Sequence, residues 1–237
     1  MRRIVAMMVS GVLLVASGCS NSYQIRLEKT LEEMKYNKRL DDNLEPASAE
    51  GKLKELAIFV RPPKPPAPSK EFLLGEVPAG VFDETKTFFE GQKAFLHVIA
   101  RVKQAKKPAA KGATAEPPAA RGPFNTDVIA VLKAIYPDEE GLAPEKFKDD
   151  PKKGNAFRRV IFENNGKRVE VYLYKLDPYD VALIFQYDPS EKNALASKIN
   201  LCLESFAVGA KARAKHANPT GSGEEESGAG GGAGVAF

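Results

Sequence analysis

Hydrophobic and polar positions alternate most regularly between residues 157 and 187. Phe157 to Glu163 reads as a strand, and Asn165-Gly166 follows it. That pair is a strong hairpin signal, because both central positions of a type I′ turn need positive φ. Arg168 to Leu176 is the return strand, with Val169, Val171 and Leu173 on one face and Glu170, Tyr172 and Tyr174 on the other. Asp177-Pro178-Tyr179-Asp180 turns the chain again. Val181 to Tyr187 is a third strand, marked by Val181, Leu183 and Phe185. The apolar period then lengthens. Asp188 suits a helix cap and Pro189 its first position, and Leu195, Ile199, Cys202 and Phe206 form one stripe with Leu203 beside it. Gly209 is expected to end or fray that helix. The segment predicts a three-strand antiparallel meander covered by a helix.

Earlier segments carry weaker patterns. Leu56 to Val60 is a short β-favouring run. Residues 62–68 then hold five prolines, which cannot donate to a sheet ladder, so extended polyproline II is expected. That stretch reads as a stiff strap or as a ligand for a proline-binding groove. Phe88-Phe89 and the run Ala94 to Ala100 predict buried strand structure. Asn125 to Tyr136 predicts a helix capped by Asn125 or Thr126, with Val128, Val131, Leu132 and Ile135 on its apolar face. Pro137 to Gly154 is charged and rich in turn residues. The fold class expected is α+β: an antiparallel sheet whose C-terminal meander is covered by helices, as an α/β/α sandwich.

The start of the chain has a different pattern. Arg2 and Arg3 precede Ile4 to Gly18, which has no charge. Fifteen helical residues span roughly 22 Å, short of the ~30 Å hydrocarbon core of a bilayer. The length and flanks are those of a secretory signal. Its end, Val15-Ala16-Ser17-Gly18-Cys19, resembles the lipobox of a bacterial lipoprotein precursor. The resemblance implies cleavage between Gly18 and Cys19 and attachment of lipid at Cys19. It also implies an extracytoplasmic, membrane-anchored location. Ser20, not Asp, follows Cys19, which resembles routing to the outer membrane where a cell has two membranes. Tyr23 to Leu44 places Leu27, Leu31 and Met34 at helical spacing and is read as a helical tether.

Composition changes the picture in three places. The chain has 237 residues and a net charge of +4, but loss of Arg2 and Arg3 would leave +2, so the basic balance is no nucleic-acid signature. Gln104 to Gly122 is Lys-, Ala- and Pro-rich and is expected to be a disordered insertion; six cations face one acid between Arg101 and Arg121. With no interleaved aromatics, it suits an anionic envelope polymer or lipid better than nucleic acid. Residues 217–237 are Gly-rich and are expected to be a disordered tail. The expected organisation is therefore a signal peptide at 1–18 and a lipid-anchored tether at 19–50. One domain follows from 51–103 and 123–216, interrupted by the insertion at 104–122.

The order of meander, Asp-Pro turn and helix ending Leu203-Glu204-Ser205-Phe206 resembles the C-terminal half of the PsbP-like fold, over residues 157–208. The resemblance implies a non-enzymatic binding or assembly protein. It carries over no functional residue.

Candidate chemistry is sparse. Two Cys and two His exclude a disulfide framework and most zinc sites, and no phosphate loop or calcium-ligand run occurs. No metal, cofactor or catalytic residue is expected. Cys202 and His97 lie on apolar runs and read as packed groups, and His216 lies at the margin of the tail. Tyr172, Tyr174 and Tyr187 form a candidate partner surface if exposed, and core packing if covered. The function expected is lipid-anchored binding or scaffolding in the cell envelope, with another envelope protein or an anionic envelope polymer as partner. The alternative is an envelope-polymer hydrolase using carboxylates near Asp177 and Asp180.

Overall fold

A computed structural model describes residues 2–48, 51–64, 67–69, 77–90, 94–103, 121–137, 139 and 141–217; the side chains of 2–22, 67–69, 89–90 and 94–95 are outside that description. The expected insertion (apart from Arg121 and Gly122), nearly all of the expected tail, and the side chains of Gly18 and Cys19 therefore lie outside the described residues. The chain divides into two units, Met1–Asp42 and Asn43–Phe237.

The first unit is nearly all of one helix, α1 (Arg2–Asn43), which begins well before the expected Tyr23. Leu27, Leu31 and Met34 are exposed along it. Among the described residues, no helix is long and apolar enough to cross a membrane.

The second unit is built on a seven-stranded antiparallel sheet. Its strands are β2 (Ala67–Ser69), β3 (Glu84–Glu90), β4 (Ala94–Val102), β5 (Lys148–Lys152), β6 (Asn155–Asn164), β7 (Lys167–Leu176) and β8 (Tyr179–Tyr187). Their order across the sheet is β2-β3-β4-β8-β7-β6-β5. The meander β6–β7–β8 is as the alternation predicts. Its first turn has Asn165 at φ 51° and Gly166 at φ 68°, the conformation that selects Asn-Gly.

Helices cover both faces, giving the expected α/β/α sandwich. On one face α3 (Phe124–Ile135) buries Val128, Ile129 and Leu132 against Ile99, Val169, Val171 and Ile184. On the other, α4 (Lys192–Ser205) leads into Phe206, whose ring meets Phe157 and Tyr174 at 5.7 and 4.9 Å. Each fully buried Leu, Ile, Val or Phe contributes roughly 1.5–3 kcal/mol, so these two layers are the main source of stability. Asp188 accepts from the Ser190 amide at 3.0 Å and starts the turn that feeds α4, as expected.

Several elements differ from expectation. The proline-rich segment is not wholly polyproline II: Ala67–Ser69 pairs with Thr87–Phe89 as a three-residue edge strand, where Pro68 is tolerated. Pro65 and Pro66 lie outside the described residues. The charged stretch before Gly154 contains the other edge strand, β5, whose Pro151 and alternating exposure hid it. α3 starts at Phe124 with Pro123 as its cap, so Asn125 and Thr126 lie inside the helix. α4 stops at Ser205, not Gly209. The chain then makes β9 (Ala207–Val208), which pairs with β1 (Ile58–Phe59) after the short α2 (Lys52–Glu55). Gly209, at φ 65°, instead begins α5 (Gly209–Ala217), within which His216 is ordered.

The ends of the expected insertion are tied into the sandwich. Arg101 at the end of β4 is 6% exposed and lies against the edge-to-face pair of Phe82 and Phe124, 5.3 and 5.4 Å from their centroids. It donates to the carbonyls of Val81 and Gly122 and pairs with Asp127. Arg121 donates to the Gly80 carbonyl and pairs with Asp83 at 2.9 Å, while Asp83 also accepts from the Val102 amide. Arg121 and Gly122 thus belong to the folded unit rather than to the insertion.

Candidate functional site on the sheet

Alternation along β7 places Arg168, Glu170, Tyr172 and Tyr174 on the face that α4 covers in part. Antiparallel register sets Tyr187 of β8 and Glu163 of β6 opposite Arg168, and Arg159 of β6 opposite Tyr172. Asp150 of β5 is opposite Phe157, next along that face. Four strands therefore bring eight polar side chains to one face.

Glu170 is the centre. It is buried, and both of its oxygens are engaged. Tyr187 and Arg168 Nε donate to Oε1, the latter at 2.9 Å, and Tyr172 donates to Oε2 at 2.8 Å. Arg168 Nε also reaches the Tyr187 hydroxyl at 3.1 Å, and its Nη1 pairs with the exposed Glu163 at 3.2 Å. Burial pushes the Glu170 pKa up, but the hydrogen bonds from Tyr187, Arg168 and Tyr172 and the charge of Arg168 outweigh it, so the carboxyl lies below its ordinary value. Burial, reinforced by the charge of Glu170, raises both tyrosines well above theirs.

A second ion pair lies beside this group. Asp150 sits 2.9 Å from Lys152 Nζ and 3.0 Å from Arg159 Nη1. Its Oδ2 is off the hydrogen-bonding direction of Arg159, so that contact is electrostatic only. Arg159 also stands over the Tyr172 ring, 5.9 Å from its centroid.

The tyrosines singled out from the sequence are placed differently from a free platform. Tyr172, Tyr174 and Tyr187 are all buried. Tyr172 and Tyr187 converge on Glu170, whereas Tyr174 packs in the Phe157 and Phe206 cluster. An exposed partner surface made of these rings is corrected accordingly: the helix layer and the carboxylate cover them. Glu170 and Arg168 were missed as the organising pair. Their signal was charge at i and i+2 on the face that also carries Tyr172.

Other candidate groups are fixed elsewhere. His97 is fully buried; its Nδ1 is 3.1 Å from Thr87 Oγ1 and its Nε2 is 3.4 Å from Gln186 Oε1. Gln186 in turn donates to the Tyr136 hydroxyl. Burial lowers the His97 pKa to about 4. Burial likewise pushes the Cys202 thiol up to about 12. Asp177 is exposed and pairs with Lys103 at 3.0 Å, while Asp180 is buried. His216 Nε2 lies 3.2 Å from the Ile58 carbonyl, with its ring edge-on to Phe59. Among the described residues, no group of three or more His, Cys, Asp or Glu side chains is placed to hold a metal ion.

Taken together, the Glu170 group offers a rigid polar floor with a rim of both charges: Arg159, Arg168 and Lys152 beside Asp150 and Glu163. Glu170 is poorly suited to proton transfer, since its lone pairs are committed and its pKa is lowered. The rim is suited to polar recognition.

No protein-family description matches the chain, and no curated protein is similar to it in sequence. Among solved structures, the chain is similar to the solution structure of cyanobacterial PsbP (CyanoP) from Synechocystis sp. PCC 6803, at TM-score 0.40 and 11% identity over 70% of this chain and 93% of that one. It is also similar to a protein from Bacteroides thetaiotaomicron VPI-5482, at TM-score 0.37 and 8% identity over 64% of this chain and 45% of that one. At these values neither likeness bears on what the chain binds.

Proposed function

We propose that the chain is a lipid-anchored cell-envelope protein whose sandwich unit binds or scaffolds a partner and performs no covalent chemistry. The carrying observation is Glu170, a buried carboxylate engaged by Tyr172, Tyr187 and Arg168. A carboxylate held this way fixes the strands beneath a charged rim. It neither activates water nor protonates a leaving group. His97 and Cys202 are equally enclosed.

The anchor half of the proposal rests on Ala16-Ser17-Gly18-Cys19 after an uncharged fifteen-residue run. Thioether formation needs the Cys19 thiol, and cleavage needs the small residues before it. Two or more acyl chains would then hold the protein stably on a membrane, at about 0.8 kcal/mol per buried CH2. That membrane is the outer one where the cell has two. The rim then meets another envelope protein or an anionic envelope polymer.

Mass spectrometry of the native protein tests the anchor: Cys19 should be the N-terminal residue and carry acyl mass, and an unmodified Cys19 would overturn it. Cross-linking in the envelope tests the binding half. The partner recovered with the native chain should be lost with Arg159→Ala and Glu163→Ala. A hydrolytic activity abolished by one substitution in residues 43–217 would overturn the non-enzymatic reading.

A further inference from the structure

Among the described residues, six large hydrophobic side chains are exposed, and five of them stand on α1: Tyr23, Ile25, Leu27, Leu31 and Met34. At about 100° per residue, Tyr23, Leu27, Leu31 and Met34 fall within an arc of about 80°, with Ile25 on the opposite side. Tyr23 and Met34 are 68% and 62% exposed. Cys19 stands four residues before Tyr23 in the same helix, so one i, i+4 ladder runs Cys19, Tyr23, Leu27, Leu31. Off the stripe, Lys29 pairs with Glu33 at 4.0 Å, and Arg39 lies 5.6 Å from the centre of the Tyr36 ring.

The occupant of this face follows from its length and its borders. A coiled-coil seam needs apolar a and d positions over about three or four heptads. Here the flanking seam positions are Gln24 before Leu27, and Lys38 and Asp41 after Met34. The Gly-rich end of the chain supplies only Val235 and Phe237 as large apolar residues. Lipid fits better. Lys38 lies in line with the stripe and Lys35 at its border, with Glu28 farther round. Lysine stems lie along an acyl boundary while their ammonium groups reach lipid phosphates. Asp41 and Asp42 return the helix to water. The charges of Arg26, Glu28, Lys29, Glu32 and Glu33 suit a helix that lies on a bilayer and does not cross it.

We propose that the stripe Tyr23, Leu27, Leu31 and Met34 is a second membrane contact, which lays this stretch of α1 along the bilayer surface. Its apolar face enters the headgroup and acyl boundary by about 5–10 Å. The proposal rests on acylation of Cys19, which delivers the stripe to the lipid. The stretch is then an interfacial helix rather than a free-standing spacer.

The test uses the full chain, processed from its own leader and reconstituted in vesicles of phosphatidylethanolamine and phosphatidylglycerol. Nitroxide labels are placed one at a time at Leu27→Cys, Leu31→Cys and Met34→Cys, and off the stripe at Lys29→Cys and Glu32→Cys. Cys202 is fully buried and does not compete for label. Electron paramagnetic resonance should show oxygen collisions exceeding those of a water-soluble nickel chelate at 27, 31 and 34, and the reverse at 29 and 32. Leu27→Ser with Leu31→Ser should abolish the oxygen preference of the label at 34. Nickel access at all five positions overturns the proposal and leaves the anchor standing. Spin–spin broadening at 27 and 31, with both reagents shut out, also overturns it, because a second copy would then cover the stripe. Label taken up at Cys19 in the chain without added cysteines overturns the anchor. Oxygen preference at 27, 31 and 34 on vesicles added to that chain would still support the stripe, and water exposure there would overturn it.

Discussion

Arg101 and Asp127, 26 residues apart in the chain, join the end of β4 to the first turn of α3. The guanidinium is almost fully enclosed and lies against the rings of Phe82 and Phe124, which meet each other edge to face. Removing one partner of a buried ion pair strands the other, at a cost of about 3–5 kcal/mol. Arg101→Ala should therefore lower the unfolding free energy by about 3 kcal/mol in urea titration. Arg121→Ala breaks a more exposed pair and should cost about 1 kcal/mol or less. Equal effects would show that the two pairs are not ranked by burial.

The same clip predicts tolerance to shortening. Val102 and Arg121 are already brought together through Asp83. Replacing residues 104–120 by a short Gly-Ser linker changes loop-closure entropy by only about 0.6 kcal/mol per halving of length. The thermal midpoint should stay within a few degrees of the full chain. Collapse of the fold would mean that the segment packs on the sandwich.

Acid stability should report on Glu170. Its folded pKa is below its unfolded value, so the stability it contributes is present above the unfolded pKa near 4.5 and lost as pH falls through the folded value. Glu170→Gln removes that dependence and leaves Arg168 without its buried counter-charge. Unfolding free energy measured from pH 3 to pH 7 should be lower for the variant at neutral pH and flatter at acid pH.

His97 acts in a neighbouring window. Its pKa falls from 6.5 in the unfolded chain to about 4 in the folded one. Above 6.5 its contribution is complete; between 6.5 and about 4 the unfolded chain takes up a proton that the folded chain refuses, and stability drops by up to about 3 kcal/mol. His97→Gln should flatten the curve between those limits. NMR titration of the imidazole should give a value near 4.

Cys202 should be silent to thiol reagents in the folded protein. Its thiol is fully enclosed and pushed up to about 12. Iodoacetamide should label it only after unfolding. Rapid labelling of the native chain at Cys202 would show that α4 opens readily.

How far the sequence carried these results depended on which physical signal each element uses. Alternation and the Asn165-Gly166 turn fix β6 and β7, and the nearly continuous apolar run from Val181 to Phe185, buried on both faces, fixes β8. β5 escaped because an edge strand with Lys148, Asp149 and Pro151 needs neither. α5 escaped because Ala212 is its single buried position. The tyrosines were legible as one face of a strand. Their burial was not, since it depends on α4 and on the carboxylate that Tyr172 and Tyr187 share. Arg101 was legible only as a cation beside a basic run. Its aromatic partners come from distant parts of the chain.

Both margins of the sheet are short and interrupted by an imino acid, Pro68 in β2 and Pro151 in β5. Neither presents a long unbroken row of amide donors to a neighbour. With both borders blunted in this way, the sheet offers its own copies no template for strand-by-strand polymerisation.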